Sequence, residues 1–153
     1  IFFFKKNKNL LLILSFLLLL PTITWMFKYH PYQNVYFNFL AGKDFNNNFE
    51  LDYWGLSNVN ALKYIAENED GDINVSRVGL SDLHLSKSFL SKKYRNKLSV
   101  IDDIKISHYI INNYRNLPVK NINKNSVIPP NYKIFYEIKI DGVPINTIYK
   151  KVK

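Results

Sequence analysis

Two aromatic stretches carry most of the chemistry this sequence offers. HPYQNVYFN (30–38) and FELDYWG (49–55) both interleave rings with hydrogen-bonding side chains. That mixture suits a sugar, whose C–H faces pack on aromatic rings while its hydroxyls bond to Asp, Asn, Gln or His. The same Tyr and Trp content is also expected beside a membrane interface, because these side chains have one apolar and one polar end.

Other reactive constellations are missing. There is no Walker loop, no GxGxxG, no GxSxG and no HExxH. His30, His84 and His108 lie far apart with no carboxylate at ligand spacing, so neither a metal site nor a cofactor is expected. Asp102-Asp103 reads as a solvated turn rather than a cation site. Gly79-Leu80-Ser81 falls between a strand and a helix, where phosphate can meet a helix N-terminus, but a lone glycine carries little weight. With no cysteine, disulfides and thiolate metal sites are excluded.

The elements that must position these residues begin with a membrane segment. LLLILSFLLLLPTITWMF (10–27) runs eighteen residues without a charge. At about 1.5 Å per residue it spans roughly 27 Å, close to the hydrocarbon thickness of a bilayer. Trp25, Tyr29 and Tyr32 fall where an aromatic belt belongs, and Lys28 can snorkel. Lys5, Lys6 and Lys8 precede the segment, which predicts a cytoplasmic start and an extracytoplasmic remainder. A cleaved signal peptide is the rival reading, but residues 21–25 offer no pair of small residues for a peptidase. Ile1-Phe2-Phe3-Phe4 reads as the end of an earlier apolar segment, and the absence of an initiator Met predicts a truncated chain. The expected organisation is a short cytoplasmic turn (1–9), a transmembrane helix (10–29) and an extracytoplasmic domain (30–153), in an integral membrane protein of the inner or plasma membrane.

The net charge of +9 divides unevenly. Four lysines flank the apolar run, and from His30 onward 17 basic residues face 12 acidic ones. The clusters are Lys92, Lys93, Arg95, Lys97 and Lys150, Lys151, Lys153. No nucleic-acid docking motif accompanies them, so nucleic acid is not expected as a partner and anionic lipid headgroups are the better match.

In the remainder, Ser57 is the expected N-cap of a helix running to about Glu67, with Leu56, Val59, Leu62, Ile65 and Ala66 at helical spacing. A strand over 73–79 follows, then a helix from Asp82 to about Phe89, a short strand over 99–101 and a strand over 105–114. Residues 116–131 read as a proline-rich loop. Residues 133–140 alternate, Asp141-Gly142 supplies a type I′ turn, and 143–152 returns. Pro144 suits an edge strand. The fold class is thus a membrane helix plus a small mixed α/β domain, two helices on a sheet of four or five strands ending in an antiparallel hairpin.

The run HPYQNVYFN, an Asn-rich spacer, FELDYWGLS (49–57) and a helix opening NVNALKYI (58–65) resembles the C-terminal region of bacterial and archaeal membrane glycosyltransferases of the family 39 type, relatives of protein O-mannosyltransferases and aminoarabinose transferases. ISHYIINNYR (106–115) and EIKIDGVPINTIYKK (137–151) add to it. The resemblance implies transfer of a sugar from a polyprenyl-phosphate carrier to an extracytoplasmic acceptor. It also implies further transmembrane helices upstream as partners, with the catalytic carboxylate in an early loop outside this chain. No catalytic residue is therefore expected here. By their position at the membrane exit, His30, Tyr32, Gln33, Asp52, Tyr53 and Trp54 are the candidates for substrate binding or for docking the domain onto those helices. The alternative is a single-pass, membrane-anchored binding domain without catalysis.

Overall fold

A computed structural model describes residues 8–37, 41, 48–115 and 128–152. The readings made above for residues 1–7, for most of 38–47 and for 116–127 lie outside the described residues. The chain divides into two compact units, Ile1–Tyr36 and Phe37–Lys153, each of which stands by itself.

The first unit is built on α1, Lys8–Lys28, which is long and apolar enough to cross a membrane and buries none of its residues. Its 21 residues extend roughly 31 Å. Pro21 sits inside the helix, and the nearby Thr24 hydroxyl donates to the carbonyls of Leu20 (3.0 Å) and Pro21 (2.9 Å). Local carbonyls thus satisfy a polar group that lipid would leave unpaired. Beyond the helix a single 3₁₀ turn, Gln33–Val35, brings Tyr36 back to α1. Its hydroxyl lies 3.0 Å from Thr22 Oγ1, and its ring meets Trp25 edge-on at 5.0 Å.

The second unit is the α/β domain. Its helices are α2 (Leu56–Asn68), α3 (Leu83–Ser88) and the single turn α4 (Lys92–Arg95). Its strands are β1 (Ile73–Val78), β2 (Leu98–Val100), β3 (Tyr109–Asn112), β4 (Tyr132–Ile140) and β5 (Val143–Lys151). They form one mixed sheet in the order β2-β1-β3-β5-β4. β1 runs parallel to β2 and β3, while β3–β5 and β4–β5 are antiparallel. The expected fold class is therefore present, with the turn α4 as an addition.

Period-two alternation divides the sheet's side chains between two clusters. Ile111 and Ile148 join Ala61, Leu62, Ile65, Leu83 and Leu98 in the larger core, whereas their neighbours Ile110 and Tyr149 pack with Val78 and Tyr132. Burying a Leu or Ile fully is worth about 1.5–3 kcal/mol. The larger core, under α2 and α3, is thus what holds the helices to the sheet.

Three sequence expectations need correction. The predicted strand over 105–114 is only four residues long, because Asp103 closes a turn by accepting from the Lys105 N–H (2.8 Å) and Ser107 bonds back to Ile104 O (2.8 Å). Pro144 is not on an edge strand, since β5 lies between β3 and β4. It is tolerated because β3 pairs only with 147–150 of β5, and because the β4–β5 register shifts between Ile138 and Lys139, at Pro144's own partner. Finally, Ser57 is not the cap of α2. The helix starts at Leu56 behind Gly55, whose φ of 68° lies in the left-handed region. The buried stripe is Ser57, Asn58, Ala61, Leu62, Ile65 and Ala66. Two polar residues therefore occupy core-facing positions, while Leu56 points outward at 42% exposure.

Candidate functional site

That inversion of polar and apolar residues marks the place where the fold gathers its unusual side chains. In open parallel sheets ligands sit beyond the carboxyl ends of the strands. Here β1 ends into Gly79-Leu80-Ser81 and β3 into Asn113-Tyr114-Arg115, and α2 and α3 begin alongside.

Beneath this end lies a buried polar network. Asp52 accepts backbone N–H bonds from Leu56 at Oδ1 (2.9 Å) and Ser57 at Oδ2 (3.2 Å), and a further, short bond from the Ser57 hydroxyl. Burial pushes its carboxyl above the usual carboxylate range, and the bonds from Ser57 and Leu56 oppose the rise. Asn146 Nδ2 donates to Ser57 Oγ (2.8 Å) and Asn58 Oδ1 (2.9 Å). Asn58 Nδ2 donates to Ser81 Oγ (2.9 Å), Ser81 donates to Asn113 Oδ1 (3.1 Å), and Asn113 Nδ2 returns to the Asp52 carbonyl (3.1 Å). The ring of contacts ties the 52–58 turn to both strand ends.

Above the network opens a groove of about 380 Å³, lined by Trp54, Leu56, Leu80, Leu85, Phe89 and Arg115 among others. Its volume is within the range of small-ligand pockets. Trp54 stands 75% exposed and Phe89 70%. Arg115 is fixed three ways. Its guanidinium lies 4.1 Å from the Tyr53 ring centre, its Nε is 3.8 Å from Glu50 Oε2, and its carbonyl accepts from the Leu80 N–H (3.0 Å). Gly79, at φ 108°, permits that last contact, since a Cβ there would fall 2.5 Å from Arg115 O.

The predicted site residues separate. His30, Tyr32 and Gln33 belong to the first unit: Gln33 Nε2 lies 2.7 Å from His30 Nδ1, and Tyr32 is buried. Asp52, Tyr53 and Trp54 belong to the second. Of these only Trp54 lines the groove; Tyr53 supports Arg115, and both oxygens of Asp52 are engaged in capping α2. Residue-by-residue reading missed Asn58, Asn113, Asn146 and Arg115, and weighed Ser81 only as part of Gly79-Leu80-Ser81. The available signal was Ser57-Asn58 interrupting an apolar stripe, together with Gly79-Leu80-Ser81 at a strand–helix junction.

A second cavity of about 380 Å³ lies at the other end of β1 and β3, lined by Glu69, Asp70, Asp72, His108, Tyr109 and Lys150 among others. Lys150 Nζ sits 2.5 Å from Glu69 Oε1, which holds the Glu69 carboxyl low and the Lys150 ammonium high. Burial first, and then Glu69, push the Tyr109 phenol up to about 12. His108 Nδ1 accepts from the Asn74 N–H (3.1 Å). Its charges are largely paired, as a structural ion-pair cluster requires. Among the described residues no group of His, Cys, Asp or Glu is arranged to hold a metal ion.

No family model matches the chain, and neither the curated proteins nor the solved structures include a significant match to it. Its functional reading rests on its own residues.

Proposed function

We propose that the chain is the membrane-anchored outer domain of a glycosyltransferase of the family 39 type, serving the transfer of a sugar from a polyprenyl-phosphate carrier to an acceptor outside the cytoplasm. In this reading α1 is the anchor, the lysines before it face the cytoplasm, and the α/β domain lies outside. The paired aromatic motifs and the length and apolarity of α1 support it.

The observation that carries the proposal is Trp54. An indole three-quarters exposed, beside a guanidinium and at the carboxyl ends of two parallel strands, is poorly used as core. It offers a flat face for a sugar, and Arg115 offers donors for its hydroxyls or for a carrier phosphate. The domain's share is to bind and orient. Asp52 is committed to the α2 cap and Asp82 to the α3 cap, and the resemblance to family 39 enzymes implies that the proton-transferring carboxylate lies in an early loop outside this chain.

The test is Trp54→Ala and Arg115→Ala in the full-length enzyme, with Ser99→Ala on β2 as the control. Transfer should fall about tenfold or more in the first two, with expression unchanged, if each loses roughly 1.4 kcal/mol of transition-state binding. Wild-type turnover in both would remove the groove from the site.

A second reading is a single-pass binding domain without catalysis, favoured by the engagement of both Asp52 oxygens. It requires glycan or carrier binding by the chain in the absence of any transferase partner.

A further inference from the structure

The groove's rim holds five large apolar side chains that the domain itself leaves in water. Trp54 is 75% exposed, Phe89 70%, Leu85 59%, Leu80 47% and Leu56 42%. Apolar residues gathered in this way mark an interaction surface. The charge beside them identifies its partner. Residues 83–96, which run through α3 and α4, carry Lys87, Lys92, Lys93 and Arg95 and no acidic residue. Asp82 at the groove is engaged in the α3 cap, and Lys97 is turned to Asp70 and the carbonyls of Ala66 and Glu69. Lys92, Lys93 and Arg95 are exposed on the single turn that follows Phe89. Aromatic and leucine side chains flanked by lysines are the composition of an interfacial membrane contact. The same polypeptide carries α1, which in the reading above tethers the domain to a bilayer.

We propose that the groove rim docks on the bilayer surface, with Trp54, Leu80, Leu85 and Phe89 entering the headgroup layer and the α4 cations resting on anionic lipid. The inference deepens the proposed function and rests on α1 as an anchor: a lipid-linked sugar presents its phosphate and sugar in that same layer, at the mouth of the groove.

Trp25 and Trp54 are the two tryptophans, so Trp25→Phe leaves Trp54 as the only indole reporter. The full chain carrying this change is reconstituted into vesicles of phosphatidylcholine with phosphatidylglycerol. Trp54 emission should be quenched roughly twofold by lipids brominated near the headgroup and shielded from aqueous acrylamide. Adding Leu85→Asp with Phe89→Asp, both at exposed positions, should abolish the lipid quenching and open Trp54 to acrylamide. Lys92→Glu with Lys93→Glu should weaken it, as should vesicles of phosphatidylcholine alone.

Trp54 open to acrylamide and untouched by brominated lipid in the parent chain would overturn docking while leaving the anchor intact. Shielding from both quenchers would show a protein surface on the groove, either a second copy or another membrane segment, and would equally overturn it. A chain extracted from the vesicles by alkaline carbonate would refute the anchor, and docking with it.

Discussion

Asp52 caps α2 from five residues before Ser57, reaching over Gly55 to take the Leu56 and Ser57 amides and the Ser57 hydroxyl. One carboxylate thereby satisfies two of the four amides that a helix start leaves unpaired. The cap and the Asn113 bond to the Asp52 carbonyl fix the turn on which Tyr53 and Trp54 are displayed.

Removing that side chain should be costly. Asp52→Ala strands the part-buried Leu56 amide and the buried Ser57 amide and removes the acceptor of the Ser57 hydroxyl, and is expected to lower stability by about 2–4 kcal/mol. Thermal or denaturant unfolding reads the loss.

The pH dependence of Asp52 has a definite sign. Its folded pKa is raised above the ordinary 3.8, so the folded state holds the proton more tightly. The stability it contributes is complete below 3.8 and is lost as pH rises through the folded pKa. Asp52→Asn removes this slope, so the advantage of wild type over the variant should grow as pH falls toward 4, measured as a difference in Tm.

Gly79 should resist any side chain. Gly79→Ala combines a φ of 108° with a Cβ 2.5 Å from the Arg115 carbonyl. About 2–4 kcal/mol of destabilisation is expected, measured by denaturant unfolding. Gly142→Ala serves as comparison, since nothing lies within 4 Å of its Cβ and only the positive φ opposes it. It should cost about 1 kcal/mol.

Asn58 and Asn146 should be coupled. Asn58→Ala takes away one of the two acceptors of Asn146 Nδ2, and Asn146→Ala takes away the donor to Asn58 Oδ1, each at about 1–3 kcal/mol. The double variant should cost less than the sum by roughly 1 kcal/mol, the signature of a direct contact in a double-mutant cycle.

Tyr109 predicts behaviour in alkali. Its phenol titrates at about 12, so stability drawn from the neutral form is present below pH 10 and is lost as pH rises through 12. Tyr109→Phe should flatten that loss and leave neutral-pH stability within about 1 kcal/mol, as followed by phenolate absorbance and unfolding.

Local signals were legible in the sequence wherever neighbours alone decide the structure. Asp141 and Gly142 both take positive φ, 47° and 81°, as the type I′ turn between β4 and β5 demands. Asp82 caps α3 through the His84 and Leu85 amides, from within one turn. The apolar run became α1. What escaped the sequence depends on distant partners. Leu56 was assigned to the core by its spacing, yet Asn58 takes the inward position because Ser81 and Asn146, 23 and 88 residues away, are there to bond it. Arg115 meets Tyr53 across a separation that no local pattern announces. Of the candidate site, Trp54 was named for its chemistry, but the groove around it emerges only once the strand ends converge.

Among the described residues β4 pairs with β5 alone and is therefore an edge of the sheet, nine residues long with Ile134 turned to solvent. Such an edge invites another chain to continue the ladder. Its register breaks between Ile134 and Tyr136 and again between Ile138 and Lys139, and Lys133, Glu137 and Lys139 add charge along it. The kinked, charged margin denies an incoming strand a straight template and so opposes the zipping of one molecule's sheet onto another's.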